Sequence, residues 1–80
     1  MKDFLEYLAK SIVKFPEDVK VEHSTDTAGQ DILILSVHKD DMALVIGKEG
    51  KTIKSLRTLV KAKAAKEDRR VNVELSEPAQ

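Results

Sequence analysis

The octapeptide Val45–Thr52, VIGKEGKT, contains two of the three glycines of the 80-residue chain. A short apolar segment at 42–46 precedes the first of these glycines, and a long amphipathic helical pattern follows the second. Glycines three positions apart between two helices let the backbone turn tightly, because glycine adopts conformations that other residues avoid. The stretch therefore predicts a turn between two helices with no Cβ atoms to keep a ligand away from its backbone.

The string Gly50-Lys51-Thr52 matches the end of a P-loop, the phosphate-binding motif of nucleotide hydrolases. A P-loop needs another glycine five positions before Gly50 and a buried strand before that glycine. Val45 occupies that position, and the preceding segment is predicted as a helix. Eighty residues also leave no room for the parallel sheet and the acidic strand that hold Mg²⁺. The nucleotide-hydrolase interpretation is excluded.

Hydrophobic periodicity predicts six elements in the order α-β-β-α-α-β. They are a helix from about Asp3 to Phe15 stopped by Pro16, an edge strand at 19–23, a central strand at 32–37, a short helix at 42–46, a long helix after Gly50, and a strand at 71–75. The first two strands predict an antiparallel hairpin, and a right-handed crossover places the last strand parallel to the second. The predicted fold class is α+β, a three-stranded mixed sheet with three helices on one face.

The side-chain pattern predicts which surfaces are buried. Leu33, Leu35 and Val37 share the face of the central strand toward the helices, which leaves Ile32 and Ile34 on the uncovered face. The long helix has its apolar stripe on Ile53, Leu56, Val60 and Ala64, and Leu59 lies roughly 100° away from that stripe. Leu59 is either the shoulder of the core or a contact for another chain.

Charge is segregated in a chain whose formal net charge is zero. Residues 48–66 contain seven Lys or Arg side chains and one acidic residue, Glu49, whereas residues 1–31 are acidic. A concentrated basic segment indicates a surface for phosphate groups. The alternative is a solvated helix face rich in lysine because lysine is a good helix former.

Other functional classes find little support in the sequence. There is no cysteine, so no thiolate zinc site or disulfide forms. His23 and His38 have no third ligand nearby in sequence, and no serine lies in a nucleophile motif. We expect no enzyme, no metal and no cofactor. Without a signal peptide or an apolar run of membrane length, we expect a soluble cytoplasmic protein and one domain over 1–80, ordered at about 2–75 with a frayed tail at 76–80.

The segment VIGKEGKTIKSLRTLV resembles the signature of a KH domain, and α-β-β-α-α-β is the order of the type II, bacterial form. FLEYLAKSIVKFPEDV and LRTLVKAKAAKEDRRVNVEL are similar to the small stand-alone bacterial KH proteins of the KhpA family. The resemblance covers essentially the whole chain.

This resemblance implies binding of about four nucleotides of single-stranded RNA by the loop and an adjacent groove. It places the RNA backbone on Gly47, Lys48, Glu49 and Gly50, and the positions that extend the contact are Ile46, Lys51, Ile53, Lys54 and Arg57. It also implies a homodimer, or association with a larger KH-containing protein of the Jag/KhpB type. The family's roles imply an RNA-binding regulator or RNA chaperone linked to cell elongation, shape and division.

Glu49 departs from the basic or neutral residues that RNA-binding KH domains commonly have in the middle of this loop. Its carboxylate repels phosphate, partly offset by Lys48 and Lys51, so we expect weak, salt-sensitive RNA binding. Apolar residues beside the loop, Val45, Ile46 and Ile53, are expected to form the wall where bases lie. The alternative function is a protein-interaction or dimerisation module with little or no RNA binding, and the residues that favour it are Glu49, Leu59, Ile32 and Ile34.

Overall fold

The computed structural model describes residues 1–76, and its elements follow the predicted order α-β-β-α-α-β. They are α1 (Lys2–Lys10), β1 (Lys20–Thr25), β2 (Asp31–Ser36), α2 (Met42–Ile46), α3 (Lys51–Lys66) and β3 (Val71–Leu75). Short 3-10 turns precede β1, α2 and α3. The Ser76 N–H donates to the Leu35 carbonyl at 2.8 Å, and the rest of the predicted frayed tail lies outside the described residues.

The three strands form one mixed sheet in the order β1-β2-β3, as predicted. β1 pairs antiparallel with β2, with Val21 opposite Leu35, and β3 pairs parallel with β2, with Val73 opposite Leu33. The crossover from β2 to β3 runs through α2 and α3. The α+β class and the type II KH arrangement of the elements are confirmed.

The core lies between the sheet and the helices. The inward face of β2 and the residue after it, Leu33, Leu35 and Val37, are at most 4% exposed, whereas Ile32 and Ile34 are half-buried on the other face. The predicted division of the central strand is confirmed. The fully buried or nearly buried apolar partners from other elements are Leu5, Ala9, Val19, Val21, Val45, Ile53, Leu56, Val60, Ala64, Val71 and Val73.

The first helix is shorter than its periodicity predicts. It ends at Lys10 rather than near Phe15, and the Ser11 hydroxyl donates to the Tyr7 carbonyl at 2.9 Å in its last turn. The backbone of residues 14 and 15 does not continue the helical ladder, because its N–H groups have a partner elsewhere in the chain.

That partner is Asp41, the only buried charged side chain of the described residues. Its two carboxylate oxygens accept from the N–H groups of Lys14 and Phe15, each at 3.0 Å. Asp41 is the N-cap residue of α2, but its side chain makes no capping hydrogen bond to that helix. It instead ties the segment after α1 to the beginning of α2.

The β1–β2 connection is a hairpin turn, Asp26–Gln30, closed by its own groups. The Asp26 carboxylate accepts from the N–H groups of Ala28 at 2.9 Å and Gln30 at 2.8 Å. The Asp26 carbonyl accepts from the Gly29 N–H at 3.0 Å. Gly29 has φ +83°, as its position in a turn predicts.

Asp31, directly after this turn, joins three parts of the chain. Its carboxylate accepts from His23 Nε2 on β1 at 2.7 Å and from Arg69 Nη2 between α3 and β3. These hydrogen bonds, from His23 first and Arg69 second, lower the pKa of the Asp31 carboxyl below its ordinary value. The cluster therefore fastens the hairpin to the beginning of β3.

Candidate nucleic-acid interface

The connection between α2 and α3 is the GKEG loop, Gly47–Gly50. Gly47 ends α2, and its N–H donates to the Ala43 carbonyl at 2.9 Å, while the Gly50 N–H donates to the Gly47 carbonyl at 3.1 Å. Three of its four residues have positive φ: +76° at Gly47, +57° at Glu49 and +74° at Gly50. Left-handed backbone favours glycine, so Glu49 holds a conformation that costs about 1–2 kcal/mol.

Gly47 is required by space as well as by conformation. A Cβ atom at this position would lie 2.7 Å from the Thr52 Cβ and 2.8 Å from the Thr52 N. At Gly50 a Cβ atom would meet nothing within 4 Å. Thr52 therefore supports the loop from the first turn of α3, a role that its sequence position gave no reason to expect.

The surface of the loop is open and positively charged. Lys48, Lys51 and Lys54 are exposed, and none of them forms an ion pair within residues 1–76. Glu49 is exposed among them and is likewise unpaired in this range. The arrangement places the N-terminal end of a sixteen-residue helix, which is the positive end of its dipole, beside three cations.

Arg57 lies further along α3 and faces the edge of the sheet. It is half-buried, and its Nε donates to the Val73 carbonyl of β3 at 3.1 Å. A groove of about 430 Å³ runs beside it, and its lining includes Lys61, Asn72 and Glu74. The groove is the space between α3 and the free edge of β3, and the sequence pointed only to its Arg57 side.

The apolar wall expected beside the loop is mostly internal. Val45 is fully buried and Ile53 is 7% exposed, because both side chains belong to the core beneath the loop. Ile46, at 38% exposure, is the one residue of the three whose side chain reaches the surface. The expected wall of Val45, Ile46 and Ile53 was therefore wrong for two of its members, which support the loop from below.

Leu59 lies on another side of α3. It is 49% exposed and does not pack against the core, so its interpretation as the shoulder of the core was wrong. Lys63, one helical turn further, has its Nζ 5.5 Å from the centroid of the Phe4 ring on α1. Leu59 thus lies on the side of α3 that faces α1, away from the groove beside β3.

No group of three or more His, Cys, Asp or Glu side chains in the described part of the chain is arranged to hold a metal ion. None of the helices within residues 1–76 has the length and apolar character that crossing a membrane requires.

Comparison with known families gives a match over nearly the entire chain. The family described as KhpA/KhpB, KH domain matches residues 2–75. The RNA-binding protein KhpA of Halalkalibacterium halodurans is 46% identical over 76 residues, covering 94% of this chain and 97% of the relative. The RNA-binding protein KhpA of Clostridium perfringens is 47% identical over 77 residues, covering 94% and 99%. That of Chlamydia pneumoniae is 42% identical over 79 residues, covering 96% and 97%.

Among solved structures, the chain is similar to part of the GTP-binding protein Era of Aquifex aeolicus, crystallised with GDP and aluminium fluoride. The TM-score is 0.63 at 19% sequence identity, and the match covers 92% of this chain but 28% of that one. At this identity the likeness concerns the fold alone.

Proposed function

Because the chain belongs to the KhpA/KhpB KH-domain family, we propose that it binds single-stranded RNA at the GKEG loop and the groove between α3 and β3. The RNA backbone lies on the loop, and about four nucleotides are held. The residues of this site are Ile46, Gly47, Lys48, Glu49, Gly50, Lys51, Ile53, Lys54 and Arg57, with Ile53 acting from beneath the surface.

The observation that carries this proposal is the conformation of the loop. Gly47 has no side chain, and one would collide with Thr52, so the loop keeps a bare backbone at the start of α3. A sugar-phosphate chain can therefore approach the N-terminal end of α3, where the helix dipole favours an anion. Lys48, Lys51 and Lys54 add charge along the same path.

The bases of the RNA lie in the groove beside Arg57. Its floor is the edge of β3, where Val73 presents backbone to the space beside Arg57. Ile46 supplies an exposed apolar side chain near the loop. There are no aromatic side chains at this surface for stacking, since the aromatic residues are Phe4, Tyr7 and Phe15. We therefore expect the affinity of one domain to be modest.

Glu49 limits the electrostatic attraction between the loop and RNA phosphates. Its carboxylate lies between Lys48 and Lys51 at the tip of the loop, without an ion pair among residues 1–76 to neutralise it. Phosphate close to the loop meets three cations and one anion, so attraction prevails but depends on salt. The binding expected is weak at physiological salt and measurable at low salt.

The test is a titration of wild type and Lys48→Asp with short single-stranded RNA at several salt concentrations. Lys48→Asp should weaken binding at low salt by about tenfold or more, because it reverses a charge beside the phosphates. Lys66→Asp is the matched control: Lys66 is exposed on α3 and lines a cleft next to Phe4. Circular dichroism checks the folding of both variants.

The absence of salt-dependent RNA binding by wild type at low salt would end the RNA proposal. The chain would then be the alternative, a KH module for protein interaction, whose loop carries Glu49 because no phosphate lies there. An equal loss in Lys48→Asp and Lys66→Asp would show that only net charge matters and would remove the loop from the site.

The second part of the proposal is association through the Leu59 side of α3. An exposed leucine on a helix of a small domain suits a partner chain, either a second copy or a larger KH-containing protein of the Jag/KhpB type. Two associated domains would bind one RNA strand more tightly than either domain alone, through avidity. Such a pair would suit an RNA-binding regulator or RNA chaperone in the cytoplasm.

Sedimentation tests the association. Leu59→Lys should shift the wild-type dimer toward monomer, because it places a charge in an apolar contact. Leu44→Lys is the matched control, since Leu44 is similarly exposed, at 43% against 49%, but lies on α2. A dimer that persists in Leu59→Lys, or that dissociates only in Leu44→Lys, would place the interface elsewhere.

A further inference from the structure

A second cleft opens at the other end of α3, where the chain turns into β3. We name it the terminal cleft; its volume is about 330 Å³, and its polar lining consists of Gln30, Lys61, Arg69, Arg70 and Asn72. Lys61 and Asn72 also line the groove beside Arg57. The terminal cleft and the groove are therefore neighbouring parts of one surface along β3.

Two of the three positively charged side chains that line the terminal cleft have no acidic partner within residues 1–76. Arg69 is held by the Asp31 carboxylate. Lys61 and Arg70 form no ion pair with any residue of the described part of the chain, and both are exposed. Two unpaired cations beside a concave surface attract a phosphate group, and Arg70 adds the planar fork that suits phosphate oxygens.

An amide pair stands next to these cations. The Asn72 side-chain Nδ2 donates to the Gln30 Oε1 at 3.1 Å, which joins β3 to the end of the hairpin turn. This bond leaves the Asn72 Oδ1 as an acceptor and the Gln30 Nε2 as a donor. A base presents donors and acceptors side by side on its Watson–Crick edge, and an unstacked base can meet such a pair.

We propose that the terminal cleft binds a further nucleotide of the same RNA strand, beyond those at the GKEG loop. Lys61 and Arg70 hold its phosphate, and the Gln30–Asn72 pair contacts its base. This inference rests on the proposed RNA function. Sixteen residues of α3 separate the two ends by about 24 Å, so only a strand longer than the loop-bound segment reaches both.

The experiment compares RNAs of about four and about ten nucleotides in titrations at several salt concentrations. Wild type should bind the longer RNA more tightly. Arg70→Glu should lower affinity for the longer RNA about three- to tenfold and leave the shorter one unchanged. The salt dependence of the longer RNA should fall by about 0.7 in the logarithmic slope, the value of one lost phosphate contact.

Two more variants separate charge from shape. Gln30→Ala should weaken the longer RNA without changing the salt slope, because it removes a base contact and no charge. Lys66→Glu, with a like reversal of charge, should leave both RNAs unchanged: Lys66 lies about 140° around α3 from Lys61 at 100° per residue. Thermal unfolding checks that all variants remain folded.

Several results would overturn the inference. They are equal affinity of wild type for both RNA lengths, equal losses in Arg70→Glu for both lengths, or the same loss in Lys66→Glu. Binding of adenosine monophosphate alone as tightly as the longer RNA would assign the cleft to a free nucleotide instead. If Lys48→Asp weakens both RNAs while Arg70→Glu weakens neither, the loop function stands and this inference alone fails. If wild type binds neither RNA, both fail.

Discussion

The two glycine-containing turns of the molecule differ in which groups hold their backbone. The hairpin turn uses its own carboxylate: Asp26 accepts from two N–H groups within the turn, so its polar groups are satisfied internally. The GKEG loop has no side-chain cap at either end, and its one acidic residue, Glu49, points no hydrogen bond back to the backbone. We call the hairpin turn closed, because a side chain caps it, and the GKEG loop open, because only hydrogen bonds between backbone groups hold it.

The comparison separates two uses of glycine. Gly29 serves conformation alone, because a Cβ atom there would meet nothing within 4 Å. Gly47 serves conformation and close approach together, because Thr52 occupies the place of a side chain. Replacing the glycine of a turn that only reverses the chain should cost little stability. The same replacement in a turn whose backbone contacts a ligand should also weaken ligand binding.

The largest expected effect is that of Gly47→Ala. We expect a loss of roughly 2–4 kcal/mol in the free energy of unfolding, from left-handed strain and the collision with Thr52. Affinity for short RNA should fall more than tenfold, because the loop backbone moves. Gly29→Ala should cost only about 1–2 kcal/mol and leave that affinity intact. Urea denaturation and RNA titration measure both; equal destabilisation would erase the distinction between the turns.

Asp26→Ala tests the closed turn. The variant loses two hydrogen bonds to a half-buried carboxylate, and we expect the free energy of unfolding to fall by about 1–2 kcal/mol. The affinity for short RNA should not change, since the hairpin turn lies apart from the loop. Urea denaturation gives the first value and titration the second. Weaker binding of short RNA by a folded Asp26→Ala would connect the two turns.

Glu49→Gln tests the open turn by charge alone. Glutamine retains the side chain's length and the left-handed strain, so the free energy of unfolding should stay nearly constant. Removal of the carboxylate should raise RNA affinity about two- to fivefold at low salt, with a smaller gain at high salt. Titration at two salt concentrations measures this. An unchanged affinity at low salt would place Glu49 away from the phosphates.

The smallest expected effect is a change in the free energy of unfolding at acidic pH. Since the pKa of Asp31 is lowered in the folded chain, its stabilising contribution is complete above the unfolded value, near 3.8. It is lost as pH falls through the lower folded pKa. The difference in unfolding free energy between wild type and Asp31→Asn should therefore shrink below about pH 4. Denaturation across that range measures it, and a difference that grows toward acid would contradict the assigned ion pairs.

The sequence was sufficient for the architecture because each strand and helix carries its own periodicity. The alternation around Leu33 and Leu35 predicted both faces of β2, and the glycine pair predicted the loop between α2 and α3. These signals are local. A resemblance over the whole chain then related the predicted helices and strands to one protein family.

The predictions were wrong where contacts between residues distant in sequence determine the local structure. The end of α1 depends on Asp41, which takes the N–H groups of Lys14 and Phe15 from more than twenty positions away. The burial of Val45 and Ile53 depends on how α2 packs on α3, and a hydrophobic side chain beside a loop gives no sign of which way it turns. The contact of Thr52 with Gly47 requires the loop's three positive φ angles, one of them at a glutamate.

The carboxylate of Asp41 also predicts an unequal pattern of tolerated substitutions. Its partners are main-chain N–H groups, which nearly every residue supplies, so these hydrogen bonds require the aspartate but no particular side chain at 14 or 15; the Phe15 ring is constrained separately, because it stacks on His38 with ring centroids 4.2 Å apart. Proline is the exception, because it has no N–H to donate. Among relatives, we therefore expect drift at position 14, avoidance of proline at 14 and 15, and an acidic residue retained at 41.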